Sequence, residues 1–199
     1  MTIFEYILIA LAFGTETMLF MRRHTEKVPV RLTQGAAIAS IVALVYAVMF
    51  LLGIRIGNIL RFADPDMGAS FDTANSLVFV GLAVVVVLKM LISLRRRKNR
   101  EAVIYNIERY TTMVALAFAM GINVLIFGLG VGFLPATDGD LWRVAIPMFV
   151  AVLLLAYWGV MLGRQKVEIR EKRWIFISVI LLLAVVLYRV FTYSLYDCL

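Results

Sequence analysis

The tetrapeptide ALAF at residues 10–13 returns as ALAF at residues 115–118, each time inside a long apolar run, at a shift of 105 positions. Two weaker matches occur in the same order along the chain. One is between LAVVVVLK at 82–89 and LAVVLYR at 183–189, and the other is between GIR at 53–55 and GR at 163–164. Three matches in the same order favour an internal duplication. We therefore predict two repeats, in residues 1–100 and residues 101–199.

The composition around these matches is that of a membrane protein. Of the 199 residues, 63% are hydrophobic and 17% are charged, whereas soluble domains are about 45–50% apolar and about 25% charged. The runs continue along the whole length, so we expect one transmembrane domain, residues 1–199. The net charge of +7 comes from cations between the apolar runs, which argues against binding to nucleic acid.

Six spans stand out, and at about 1.5 Å per residue each one crosses a hydrocarbon core of roughly 30 Å. They are Ile3–Met21, Gly35–Leu60, Ala74–Leu94, Thr111–Leu134, Leu141–Gly163 and Trp174–Tyr196. The sequence thus predicts an all-α membrane protein of six transmembrane helices. Its surroundings are the lipid bilayer, and we expect a multi-pass protein of the bacterial cytoplasmic membrane.

The charges of the connections alternate along the chain. The connections after helices 1, 3 and 5 are basic and carry Arg22, Arg23, Lys27, Arg31, Arg95, Arg96, Arg97, Lys98, Arg100, Arg109, Arg164, Lys166, Arg170, Lys172 and Arg173. The connections after helices 2 and 4 carry Asp64, Asp66, Asp72, Asp138 and Asp140. Because basic loops stay cytoplasmic, both termini are predicted outside.

Because each repeat has an odd number of helices, three, the second repeat has the opposite orientation in the membrane. This is the 3+3 inverted-repeat topology of many secondary transporters. Their substrate sites lie at the midplane between the repeats, here between helices 1 and 4. Intramembrane polar residues are functional candidates because they are costly to bury. The candidates at this depth are Thr15, Glu16, Thr17, Met18 and Asn123.

Glu16 is the candidate with the clearest chemistry, since a carboxylate at this depth must be paired, wetted or protonated. In its protonated form it could couple transport to protons. At the shift of 105, Asn123 corresponds to Met18 and not to Glu16. Two residues along a helix are a rotation of about 200°, so only a helix break near Gly14 would bring Glu16 and Met18 to one site.

Other polar or small residues in the spans receive structural interpretations. Lys89, Arg55 and Arg189 lie near span ends and are predicted to extend their charges to water. Tyr46 and Tyr157 are interpreted as packing residues. The glycine ladders Gly53–Gly57 and Gly128–Gly132 predict close helix packing.

The motifs in helices 1 and 4 carry a family resemblance. Helix 4 reads INVL at 122–125 followed by GLG at 128–130, and helix 1 reads AFG at 12–14. With six helices in two repeats, the chain resembles the bacterial manganese efflux pump family of the lysine exporter superfamily. The family aspartate of helix 4 falls on Asn123, and that of helix 1 falls on Met18. The resemblance implies export of Mn²⁺, with Asn123 at a ligand position. Glu16, which could restore one of the missing charges, is predicted as the second metal ligand.

We therefore predict a secondary transporter or exporter of a small ion, Mn²⁺ or another divalent cation. Export of a small organic solute, and a non-transporting membrane protein that binds a partner or serves as a scaffold, stay open as alternatives. An enzyme is disfavoured because His24 is the only histidine and Cys198 the only cysteine. No cofactor is expected besides a transported metal ion, and the sequence leaves a homodimer open.

Overall fold

The computed structural model describes residues 1–28, 30–61, 68–97, 110–134, 141–167 and 169–196. These contain six helices: α1 (Ile3–Lys27), α2 (Leu32–Leu60), α3 (Gly68–Arg97), α4 (Tyr110–Gly132), α5 (Leu141–Arg164) and α6 (Glu171–Tyr196). Each is long and apolar enough to cross a membrane, which confirms the predicted all-helical membrane protein. Several charged loop residues of the sequence analysis lie outside the described residues: Asp64, Asp66, Lys98, Arg100, Arg109, Asp138 and Asp140. So does Cys198, and the same holds for the side chains of Asp72, Arg95, Arg96 and Arg97.

Helix α1 begins with a capping box, an arrangement that satisfies backbone N–H groups which the first helical turn leaves free. The Thr2 backbone N–H donates to the Glu5 carboxylate at 2.5 Å, and the Thr2 hydroxyl donates to it at 3.0 Å. The helix then continues to Lys27 without interruption at Gly14. The break that would place Glu16 and Met18 on one face is therefore absent from α1.

Glycines bring the helices together in two parallel pairs, α1 with α5 and α2 with α4. A Cβ on Gly53 of α2 would collide with the Leu125 carbonyl of α4. In the same way, a Cβ on Gly159 of α5 would collide with the Met18 carbonyl of α1. Both pairs thus pack backbone against backbone, as glycine ladders allow in membranes.

A second glycine contact in the α1–α5 pair has an equivalent contact in the α2–α4 pair. Gly14 of α1 faces Leu155 of α5, and Gly121 of α4 faces Met49 of α2. The two glycines, Gly14 on α1 and Gly121 on α4, are 107 positions apart in the chain, and their partners, Met49 on α2 and Leu155 on α5, are 106 positions apart. The contacts thus relate α1 to α4 by a shift two residues longer than the ALAF match gives.

Helix α6 runs antiparallel to α1, and side-chain ion pairs connect the two helices at both ends. At one end Arg189 pairs with Glu5, with Nε and Oε1 2.6 Å apart and both side chains largely buried. At the other end Arg22 and Arg23 pair with Glu171. The prediction that Arg189 extends to water is therefore wrong, because a buried carboxylate on the neighbouring helix holds its guanidinium inside the bundle.

The centre of the bundle is filled by aromatic side chains from α1 to α4. Phe13, Phe50, Phe79 and Phe127 are each at most 1% exposed. Phe127 meets Phe13 and Phe79 edge to face, with ring centroids 5.7 Å and 6.0 Å apart. Such contacts stabilise beyond the area they bury, and they fix the helices that carry the candidate site residues.

Candidate functional site

The relative direction of the helices determines which residues share a level in the bundle. On α1 and α2, Tyr6 meets Phe50 at 6.4 Å between ring centroids, while Thr17 lies beside Tyr46. Residue numbers therefore rise along α1 as they fall along α2, and the two helices are antiparallel. Because α4 is parallel to α2, α4 is also antiparallel to α1.

The contact between Phe13 and Phe127 joins α1 to α4 and serves as a reference level. Residues three or four apart lie on one helix face, so Glu16 and Thr17 follow Phe13 along its face of α1. Asn123 precedes Phe127 by one turn on α4. Since these helices are antiparallel, all three residues lie on the same side of the aromatic contact, about one turn away from it.

Tyr46 of α2 completes this level, and we call Glu16, Thr17, Tyr46 and Asn123 the polar layer. The Tyr46 side chain is fully buried and interacts electrostatically with Glu16. The neighbouring Thr17 hydroxyl donates to the Phe13 carbonyl of its own helix at 3.0 Å. The Tyr46 hydroxyl lies beside the Thr17 hydroxyl and interacts with it, outside the geometry of a well-formed hydrogen bond.

Asn123 presents a second buried oxygen at this level. The residue is 8% exposed, and its Oδ1 accepts no hydrogen bond from any described group. Leaving a buried polar atom unsatisfied costs about 1–3 kcal/mol, and such exceptions in a folded protein call for an explanation. Asn123 is therefore the member of the polar layer whose oxygen has room for a further partner.

Glu16 supplies the negative charge of the polar layer. Its side chain is half-buried, whereas its neighbours Thr15 and Thr17 are buried. The carboxylate lies within electrostatic range of the buried Tyr46 phenol of α2.

The other two predicted site residues lie against different neighbours. The Thr15 hydroxyl donates to the Ala12 carbonyl at 2.8 Å, and Ser178 of α6 donates to the same oxygen at 2.6 Å. Met18 is fully buried in a cluster with Leu19 of α1 and Ile175 of α6. The structure brings Glu16, Thr17 and Asn123 to one level and places Thr15 and Met18 in contact with α6.

Tyr46 is the residue of this level that sequence analysis missed as a site residue. A hydroxyl in the middle of an apolar helix could have singled it out, since buried tyrosines ordinarily find a hydrogen-bond partner. Its position beside Glu16 depends on the antiparallel packing of α1 and α2, which residue spacing does not give. The place of Tyr46 in the polar layer therefore follows from the fold and not from the sequence.

The polar layer offers a carboxylate, an amide carbonyl, a phenol and a hydroxyl, all oxygen donors. Oxygen ligands suit hard divalent ions such as Mg²⁺, Ca²⁺ and Mn²⁺, whereas soft ions prefer sulfur. Among the described residues, no three His, Cys, Asp or Glu side chains come together as a metal cluster. The layer thus has the donor chemistry for a hard cation and a single formal charge to hold it.

Comparison with known proteins adds one match. A family model described as "Putative manganese efflux pump" matches residues 29–188. This range includes Tyr46 and Asn123 and begins after Glu16. No curated protein and no solved structure matches the chain.

Proposed function

The chain belongs to the manganese efflux pump family, and we propose that it exports Mn²⁺ from the bacterial cytoplasm through the polar layer. Six helices that can cross a membrane fit a multi-pass transporter. The observation that carries the proposal is the buried Asn123 Oδ1, which accepts no hydrogen bond from any described group, at the level of Glu16 and Tyr46. A cation at this level would give that oxygen a partner.

The packing supports an inverted repeat with its site at this level. The glycine contacts relate α1 to α4 by 107 positions, and that shift makes Glu16, not Met18, the counterpart of Asn123. Inverted-repeat transporters bind substrate at the midplane between their repeats. In this account the repeats are residues 1–100 and 101–199, both termini lie outside, and each repeat contributes one oxygen ligand from its first helix.

The donor set favours Mn²⁺ over softer ions. Glu16 and Asn123 would serve as the metal ligands, with Tyr46 and Thr17 beside them. The thioether of Met18, the sulfur ligand that the sequence offers, packs against Ile175 instead. Because hard oxygens select Mg²⁺, Ca²⁺ and Mn²⁺, Cu⁺ is a poor substrate for this layer.

A single carboxylate also provides a simple way to release the ion. Ionised Glu16 attracts the cation, and protonated Glu16 carries no charge to hold it. A half-buried position lets the carboxylate exchange protons as the surrounding helices change access. We therefore assign Glu16 the role of the ion-binding and proton-coupling group.

Flux measurements in proteoliposomes test this function. The purified protein is reconstituted, and Mn²⁺ entry is followed with a Mn²⁺-sensitive dye trapped inside. We expect Glu16→Gln to reduce the rate at least tenfold. The matched control is Glu26→Gln, which neutralises a more exposed carboxylate of the same helix, 41% exposed, while Arg22 keeps Glu171 as a partner. Equal rates for wild type and Glu16→Gln would reject the site.

The same assay distinguishes the two alternatives. An exporter of a small organic solute would leave the dye signal at the level of empty liposomes for every divalent cation tested. A non-transporting scaffold would do the same and would also fail to move any added solute. Mn²⁺ entry that depends on Glu16 contradicts both.

A further inference from the structure

A groove runs along the beginning of α6, on the side that the loop charges predict to be cytoplasmic. Its volume is about 360 Å³, and it is lined by Lys172, Arg173, Phe176, Ile177 and Ile180. All five side chains are exposed. The groove is separate from the polar layer, which lies among α1, α2 and α4.

No described residue forms an ion pair with the two cations of the groove. The adjacent carboxylate, Glu171, already pairs with Arg22 and Arg23 of α1. Lys172 and Arg173 form no ion pair with any residue in the described ranges. The groove therefore presents two free positive charges next to a carboxylate that is engaged elsewhere.

The rest of the lining is apolar and follows the cations along one helix face. Phe176, Ile177 and Ile180 are 57%, 43% and 52% exposed. They lie about 6 to 12 Å further along the helix axis than Lys172, at about 1.5 Å per residue. In a membrane this order sets the cations at headgroup depth and the apolar side chains at acyl-chain depth.

We propose that this groove binds one anionic phospholipid. Lys172 and Arg173 receive the phosphate, and an acyl chain lies along Phe176, Ile177 and Ile180. Basic pockets at the cytoplasmic ends of membrane helices recognise anionic headgroups by charge. Here the two unpaired cations provide the charge complementarity, and the apolar continuation of the same groove selects a lipid over a free phosphate ion.

Lipid binding to the full-length purified protein tests the proposal. Native mass spectrometry counts bound phosphatidylglycerol during a titration, with phosphatidylcholine as the neutral comparison. We expect Lys172→Gln/Arg173→Gln to weaken the first phosphatidylglycerol binding step about thirtyfold, the change expected for the loss of two basic residues near an anionic surface. Binding of phosphatidylcholine should stay unchanged.

The matched control is Arg164→Gln/Lys166→Gln, which removes two exposed charges from the neighbouring α5–α6 connection without touching the groove. We expect this variant to bind phosphatidylglycerol like the wild type. An equal loss in both double variants would overturn the proposal in favour of diffuse attraction. A melting temperature measured in neutral lipid shows that each variant is folded.

A last pair of measurements separates the lipid from its headgroup. Ile180→Trp fills the apolar half of the groove and keeps both cations, so we expect weaker phosphatidylglycerol binding. Soluble glycerophosphoglycerol should not displace the lipid at concentrations at which the lipid saturates. Displacement by the soluble headgroup, or full lipid binding by Ile180→Trp, would overturn the site as a lipid groove.

Discussion

The Glu16 carboxylate of α1 interacts electrostatically with the Tyr46 phenol of α2 inside the helix bundle. The phenol is fully buried, and its hydroxyl lies beside the Thr17 hydroxyl. With Asn123 Oδ1, which accepts no hydrogen bond from a described group, these side chains form a set of oxygen donors of the kind that hard cations prefer. The relationship is therefore the basis of the ion-binding account.

Tyr46→Phe tests whether the phenol serves the ion or only fills space. Deleting the hydroxyl removes only its contact with the Thr17 hydroxyl, and a hydrogen bond is worth about 0.5–1.5 kcal/mol net, so the melting temperature should fall only slightly. The affinity for Mn²⁺ should fall roughly three- to tenfold through loss of one oxygen donor. Tyr157→Phe, on a half-buried packing residue, should change neither quantity. Unaltered Mn²⁺ affinity in Tyr46→Phe would remove the phenol from the site.

Asn123→Asp should strengthen ion binding. The substitution places a carboxylate where the family pattern has one, and a second negative charge favours a divalent cation. We expect the dissociation constant for Mn²⁺ to fall about tenfold, measured by equilibrium dialysis of purified protein. Asn58→Asp adds the same charge to α2 near Gly132 and should leave the constant unchanged. Weaker binding in Asn123→Asp would contradict its role as a ligand.

The sequence was sufficient for the helices and insufficient for their neighbours. The apolar run beginning at Ile3 predicted α1, yet the helix extends past Met21 to Lys27. Its last turns are held by Arg22, which donates to the Val167 carbonyl at 2.9 Å and pairs with Glu171. Such long-range partners are invisible to hydropathy, which records composition along a window and not what packs against it.

The absence of packing information in the sequence also explains why the candidate site residues were matched differently from the sequence and from the structure. An apolar alphabet repeats easily, so the ALAF match gave a shift of 105 that pairs Met18 with Asn123. Glycine contacts, which depend on backbone distance, set Gly14 and Gly121 in equivalent places at a shift of 107, and our proposal that Glu16 corresponds to Asn123 rests on that shift. Likewise, Glu5 and Arg189 are far apart in sequence and form one buried ion pair. Composition identified the costly residues, and only packing could show which of them meet.

Glycine substitutions should separate close packing from mere helix content. Gly159→Ala drives a Cβ into the Met18 carbonyl, and overpacking of this kind costs about 1–3 kcal/mol. Gly81→Ala is the matched control, because nothing lies within 4 Å of its Cβ position. We expect Gly159→Ala to lower the melting temperature in detergent and Gly81→Ala to leave it unchanged or raise it. Equal behaviour of the two variants would contradict the close approach of α1 and α5.

Glu5→Gln should destabilise the α1–α6 contact. Removal of one partner leaves the Arg189 charge buried and uncompensated, at a cost of about 3 kcal/mol. Glu5→Gln/Arg189→Met removes both charges and should recover part of the loss. Urea or heat unfolding in a fixed detergent measures the wild type, Glu5→Gln, Arg189→Met and the double variant. A double variant as unstable as the sum of both single losses would show that the two residues do not interact.

Binding of Mn²⁺ to the polar layer is the central claim, and thermal stabilisation of the purified protein by a panel of cations tests it most directly. A ligand at a hundredfold excess over its dissociation constant adds about 2.7 kcal/mol of apparent stability. The account predicts a saturable rise in melting temperature with Mn²⁺, a weaker one or none with Cu⁺, and loss of the Mn²⁺ effect in Glu16→Gln but not in Glu26→Gln. A Mn²⁺ effect of the same size in Glu16→Gln, or none in the wild type, would contradict it.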